Sequence, residues 1–405
     1  MIRMVILFTL TCLACAATDA LAQDIVRPAD QPAVPPIVMD LREDRPDDEW
    51  QIKPRWRLQY DIAEIDGPAG LPGQGSFSAI RRARLGVDIE MPAGFSARID
   101  GELQDDPAQL LDAYVMWKKN HVFVIAGQQK AVNPLDLHSS NLNISFMERP
   151  AFYGAFNYGR GTGISAGYER EDFGVYGGIF TDNLALLNDV KTNSIFADFR
   201  AYWSPQAGNL RFHLGGSYHV RDLKDFSDVP TRYSQRPFVR VTDTRYIGSP
   251  GLLVEKEVKY GVEAAATWER FHGVGELHWL EASRSGIADP RFFGAYAEVG
   301  FFLTDDRRPL KTGAFGTVKP KRPVGAGGIG AVQLNLRYDY LDLNSAGVTG
   351  GKQDGYLASL VWTPVEFLRL MVNYAYLDYS SAVIPVAQDR SYSVNVVGVR
   401  GQISY

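Results

Sequence analysis

Val332 to Tyr340 reads VQLNLRYDY. Val332, Leu334, Leu336, Tyr338 and Tyr340 fall in one parity and Gln333, Asn335, Arg337 and Asp339 in the other, so a strand here has one apolar and aromatic face and one polar face. The same pattern recurs far away. In Arg55 to Ile62, Trp56, Leu58, Tyr60 and Ile62 oppose Arg55, Arg57, Gln59 and Asp61; in Arg82 to Glu90, Ala83, Leu85, Val87 and Ile89 oppose Arg82, Arg84, Asp88 and Glu90. A soluble sandwich also alternates. Its solvent-facing strands, however, rarely carry so many aromatics at the ends of the apolar face, which is where a bilayer interface selects them.

Working outward, period-two segments are expected near 54–63, 78–90, 94–104, 110–118, 121–129, 159–170, 172–180, 193–203, 209–219, 257–270, 273–284, 291–303, 331–342, 354–363, 366–378 and 391–405. That makes about sixteen strands, a size class whose interior is an aqueous channel. Beyond the N-terminal segment no apolar run approaches the ~18 residues of a spanning helix, so a membrane crossing has to be made by strands. The predicted fold is all-β: a transmembrane antiparallel barrel, closed so that no edge is left unpaired. An even count puts both termini on one side. The tight turns expected at Met91-Pro92-Ala93-Gly94, Lys119-Asn120, Phe271-His272 and Pro364-Val365 fall on that side as well. The last strand ends Val397, Val399, Gly401, Ile403 and Tyr405 in one parity, an aromatic terminus of the kind that barrel-assembly machinery reads.

Three domains are expected: 1–22, 23–52 and 53–405. Arg3, the apolar run Met4 to Ala17 and Ala20-Leu21-Ala22 before Gln23 read as a secretory signal. Five prolines and the acids Glu43, Asp44, Asp47, Asp48 and Glu49 make 23–52 a flexible periplasmic leader. Both cysteines, Cys12 and Cys15, lie inside the signal, so the mature chain has neither a disulfide nor a cysteine-ligated metal. The net charge of −5 points to no nucleic-acid partner, and no cofactor is expected.

Several stretches resemble the phosphate-selective porin O/P family: AIRRARLG at 79–86, LDAYV at 111–115, SFMER at 145–149, YAEVGFFLT at 296–304, GAFGTVKPKRP at 313–323, LRYDYLDL at 336–343 and Val372-Asn373-Tyr374. Their order and spacing span nearly the whole mature chain. The resemblance implies an outer-membrane homotrimer of sixteen-stranded barrels set among lipid and lipopolysaccharide, each barrel with its own pore. It further implies that Lys130–Tyr158, Val220–Lys256 and Thr304–Gly330 fold inward and line that pore with arginines and lysines.

Permeation needs no catalysis; selection comes from pore radius and from charge focused by low-dielectric walls. By parity Arg55, Arg57, Arg82, Arg84 and Arg98 face the lumen, where Asp61, Asp88, Glu90, Asp100 and Glu102 also point and could reduce them to a stiffening salt-bridge network. After Asp306, Arg307, Arg308, Lys311, Lys319, Lys321 and Arg322 occur with no acid through Gly330, which makes either an anion-attracting surface or a solvated turn. The fifth loop offers Arg236 and Arg240 among several acids, and a lipopolysaccharide-facing surface is the competing reading. In the third loop Lys130, His138 and Arg149 are too sparse to argue from spacing. His213 and His219, or His272 and His278, share strand parity without a third ligand, and no nucleophile-elbow, P-loop or dinucleotide fingerprint is present. The expected function is a non-enzymatic porin that passes small hydrophilic solutes, with anions preferred and phosphate or polyphosphate among them. A non-specific diffusion porin is the alternative, and a barrel-embedded enzyme or adhesin the remote one.

Overall fold

The computed structural model describes residues 49–104, 108–132, 134–184, 194–226 and 228–405. The expected signal and most of the leader lie outside these residues. Sixteen long strands form the wall: β1 Gln51–Asp66, β2 Gly75–Glu90, β3 Phe95–Glu102, β4 Gln109–Lys119, β5 Val122–Lys130, β6 Arg160–Glu169, β7 Phe173–Thr181, β8 Ile195–Trp203, β9 Leu210–Asp222, β10 Lys256–Trp268, β11 Phe271–Ser283, β12 Arg291–Phe302, β13 Ala331–Ser345, β14 Val348–Val365, β15 Leu368–Ser380 and β16 Tyr392–Ser404. The two-residue piece Gln206–Ala207 adds a short ladder to β9. Each wall strand pairs antiparallel with its sequence neighbours, and β1 pairs with β16 from Arg57↔Ser404 to Asp66↔Asn395. Tyr405 and Trp56 then exchange backbone hydrogen bonds of 3.0 and 3.1 Å, so the cylinder is closed to its last residue. Closure leaves no unpaired edge, which a lipid environment requires.

Alternation survives along the wall. On β13, Leu334, Leu336 and Tyr338 are exposed while Gln333, Asn335, Arg337 and Asp339 are buried inside. Outward aromatics gather in two belts. Trp268, Phe271 and Phe301 ring the end that carries the short turns, with centroids 5.9 and 4.6 Å apart. Tyr260, Trp279, Phe293 and Tyr340 ring the loop end at 5.2–5.9 Å. From Phe271 to Trp279 is about 26 Å of strand, or roughly 20 Å of height at the usual tilt, close to the apolar band of such barrels.

Three turn positions differ from expectation: the β4–β5 turn is Asn120-His121, since Lys119 still pairs with Val122, and two others shift further. The β10–β11 turn is Glu269-Arg270, with Glu269 at φ 50°, and Phe271 already starts the next strand; the β14–β15 turn is Glu366-Phe367, because β14 runs through Pro364 and Val365. In both cases the residues expected in the turn belong to the wall instead, Phe271 on its outer face and His272, against Glu298, on its inner one. Strand β2 contains a bulge: Gln59 pairs with Arg82 and Tyr60 with Ile80. The extra residue is Arg81, which strict parity sends into lipid. The bulge turns it inward beside Arg82, and its side chain reaches Glu148.

Candidate functional site

The segment 131–159, between β5 and β6, folds into the lumen and carries two short helices, α1 Leu135–His138 and α2 Ala151–Ala155. Both are pinned at their N-termini by wall carboxylates. The amides of Leu135 and Asp136 donate to Glu276 at 3.1 and 2.9 Å, Leu135 also donates to Glu263 at 3.0 Å, and Ala151 donates to Asp339 at 3.0 Å. These are the orphan donors of a helix start, met here by negative charge at the positive end of the dipole. Arg149 closes the loop on itself through Asp136 and the Ser139 carbonyl. Phe152 stacks on His278 with centroids 4.4 Å apart. Two wall glycines make room for the loop: a Cβ on Gly294 would sit 2.3 Å from the Phe152 Cβ, and one on Gly398 would sit 2.8 Å from Met147 Sδ.

The second segment, 223–255, packs across the loop end. Tyr233, Val239 and Tyr246 are fully buried in it; Tyr233 donates to Glu257 at 2.6 Å, and Tyr246 packs edge-on against Tyr379. The third, 303–330, divides. Arg308 enters the barrel, its guanidinium 3.0 Å from Glu298 and 3.7 Å over the Phe315 ring. The other basic residues of that turn stay outside: Lys311 is 4.0 Å from Glu171, Lys319 2.8 Å from Glu366 and Lys321 2.9 Å from Asp305. Arg307 and Arg322 are exposed beside them. Among these six cations only Arg308 therefore meets the third loop, donating to the Asn143 carbonyl at 3.1 Å.

With these segments folded in, the inward residues of β10 and β13 are buried, whereas Lys53, Arg55, Arg57, Asp88 and Arg98 along β1–β3 keep partial exposure. The open space of the lumen thus runs along the first strands. On that wall Arg55 and Arg98 share Asp88 at 3.2 and 2.6 Å, and Arg84 holds Glu102 at 2.7 Å. Arg82 is 3.9 Å from the same Glu102, and Arg57 donates to Asn141 of the third loop instead of to a carboxylate.

Where this wall meets the first and second of these segments at the loop end lies a cavity of about 200 Å³, lined by Arg81, Arg82, Arg149, Arg236, Arg240, Arg245 and Arg400, with Glu148 the single acid. Glu148 is held between Arg81 at 2.5 Å and Arg400 at 2.9 Å, and Arg400 also grips Asp61 through two bonds of 2.7 Å. Burial opposes ionisation of Glu148, yet Arg81 and Arg400 outweigh it and hold its carboxyl below the usual range. Arg236 is tied to Asp243 at 2.5 Å. Arg245 reaches only the Asp243 carbonyl, and Arg240 has no ion pair among the described residues. Burial, then repulsion from Arg81, lowers the Arg240 guanidinium from its ordinary value. The sequence placed Arg82, by parity, and Arg236 and Arg240, by the composition of their loop, among the candidates. It missed Arg81 and Arg400, and the available signal was the Arg81-Arg82 pair itself, since two successive arginines in a wall strand require a bulge to keep both out of lipid.

The four strand histidines are each buried against a carboxylate: His213 and Glu263 at 2.8 Å, His219 and Asp198 at 2.6 Å, His278 and Glu276 at 3.1 Å, His272 and Glu298 at 3.7 Å. No group of three metal-ligating side chains occurs among the described residues.

Three comparisons bear on this barrel. A protein of Caulobacter vibrioides, itself uncharacterized, is 41% identical over 364 residues, covering 87% of this chain and 74% of its own length. Among solved structures, the trimer form of OmpT, an outer-membrane protein of Vibrio cholerae, superposes with a TM-score of 0.55 at 12% identity, over 88% of this chain and all of that one. The anion-selective porin from Comamonas acidovorans gives 0.53 at 13% identity, also over 88% and 100%. At such identities the two structures speak to the fold alone. The family model for phosphate-selective porins O and P matches residues 52–405, nearly the whole described barrel, and this chain, a bacterial outer-membrane channel protein by its family and its closed sixteen-stranded wall, belongs to the phosphate-selective porin O and P family.

Proposed function

We propose that the barrel passes small hydrophilic anions passively and that their selection occurs in the arginine-lined cavity at the loop end. One observation carries this reading: seven arginines surround that space against one glutamate, and Arg240 has no carboxylate partner among the described residues. Positive charge bounded by low-dielectric walls concentrates anions at the entrance, and guanidinium forks fit the oxygens of phosphate or polyphosphate. The family to which the chain belongs and the anion selectivity named for the Comamonas porin support the same choice. A homotrimer is proposed by analogy with the trimer form of the Vibrio protein. The basic residues of 303–330 that sit outside, Arg307, Lys311, Lys319, Lys321 and Arg322, are assigned a role in the field at the turn end, and Arg55, Arg57, Arg84 and Arg98 a role along the path.

The wall pairs Arg55–Asp88–Arg98 and Arg84–Glu102 favour a second reading, a non-specific diffusion channel whose inner charges cancel. Chloride currents through the reconstituted protein in rising phosphate and pyrophosphate decide between them. Block that saturates, and that weakens when Arg240 is replaced by glutamate, supports selection at the cavity. Currents indifferent to both anions leave only the non-specific channel.

A further inference from the structure

A second lumenal cavity, of about 320 Å³, lies between the inner faces of β4–β7 and the third loop. One side of it is apolar. Met116 and Ile125 stand directly opposite each other across β4 and β5, and Val132 and Leu137 approach from the loop. Phe123, Tyr176 and His138 continue the surface as a stack with centroid spacings of 5.6 and 5.4 Å. Of this apolar side only Met116 and Ile125 keep partial exposure to the cavity, with Phe123, Val132, Leu137 and Tyr176 buried behind and around them.

The polar side of the cavity is nearly neutralised by its own pairs. Asp112 is engaged by Arg160 at 2.8 Å and Glu169 by Lys118 at 3.1 Å, while Arg98, at 2.6 Å, shares Asp88 with Arg55. Lys130 is the exception. Its ammonium donates to the Leu137 carbonyl at 3.3 Å and meets no carboxylate within ion-pair distance among the described residues, so two of its three N–H donors are unspent. A lysine with two spare donors beside an apolar and aromatic wall is complementary to an organic monoanion whose body is flat and apolar.

The geometry points to a binding subsite for arylcarboxylates, in which the ring lies on Met116 and Ile125 and the carboxylate meets Lys130. It deepens the anion-channel reading and rests on it for the route by which such a solute arrives. The subsite gives residence to anions with an aromatic body, whereas short aliphatic carboxylates have only the lysine to hold.

Isothermal titration of the full barrel in detergent micelles, with benzoate and with acetate, tests this directly. Saturable heat is expected for benzoate and none for acetate over the same range. Lys130→Met and Met116→Asn, each checked for the heat-shifted mobility of a folded barrel, are each expected to weaken benzoate binding about tenfold. Should a variant not fold, the wild-type comparison of benzoate with acetate still decides. Equal heats for the two anions, or variants that bind benzoate as the wild type does, overturn the subsite. A cation-selective reversal potential with benzoate binding intact overturns the anion-channel reading and leaves the subsite standing.

Discussion

Replacing Arg400 by methionine removes the tie between the last wall strand, the first, and the third loop. The Arg400 guanidinium is 2% exposed, makes two bonds of 2.7 Å to Asp61 and one of 2.9 Å to Glu148, and also donates to the Met147 carbonyl. Glu148 would keep Arg81, but Asp61, fully buried, would lose its ion-pair partner. Breaking a buried pair from one side costs about 3–5 kcal/mol, because the charge left behind is not rehydrated. Most of that cost belongs to Asp61, so Asp61→Asn combined with Arg400→Met is expected to recover more than half of it. The readout is the guanidinium unfolding midpoint of the micelle-embedded protein, with single-channel conductance alongside. Arg400→Met should lower the midpoint and give larger, noisier openings as the third loop loosens; the double variant should restore the midpoint more than the conductance. A midpoint unchanged in Arg400→Met, or a double variant no better than the single one, would refute the reasoning.

Other expectations follow from the same contacts. Arg240→Glu should move the zero-current voltage toward cations further than Arg270→Glu, since Arg270 sits in a turn 3.5 Å from Asp305, outside the constricted space; equal shifts would remove the cavity from the selection mechanism. Gly294→Ala forces Phe152 and the loop that carries it to move, at a cost of about 1–3 kcal/mol by overpacking, visible as a lowered unfolding midpoint and altered conductance. Acid should loosen the loop through His138, whose imidazole burial, and then Arg200, push down to about 3. The unfolded chain takes up that proton near pH 6.5 and the folded one does not, so this contribution is whole above that pH and falls by about 1.4 kcal/mol per pH unit below it, toward pH 3. Glu148, depressed in the fold, adds its own loss as pH falls through the carboxylate range. His138→Gln should flatten the part of the midpoint's pH profile above the carboxylate range, and an unchanged profile would rule the histidine out.

The wall was readable because strand periodicity is local: a residue's parity fixes lipid or lumen without knowledge of its partners, and VQLNLRYDY lies in the structure as its alternation requires. Turn positions were less legible, since an aromatic next to a turn, such as Phe271, suits either a loop or the interfacial belt. The site was legible only in part. Arg82 and Arg84 announce themselves by parity, but Arg81 needs the bulge, and Arg400 needs Glu148 brought to it from a loop 252 residues earlier in the chain. The helices α1 and α2, of four and five residues, are too short to show a period and exist because Glu276 and Asp339 cap them from distant strands. The basic run 307–322 shows the converse limit: composition marks it as cationic, but only the fold separates Arg308 inside from lysines neutralised by Glu171, Glu366 and Asp305.

The most direct measurement is the zero-current potential of the purified, reconstituted protein across a tenfold KCl gradient. An ideally selective pore approaches roughly 59 mV, with a sign set by the permeant ion. Arginine excess at the loop end predicts the sign for chloride. A potential of the opposite sign, or no conductance from a correctly folded barrel, would contradict it.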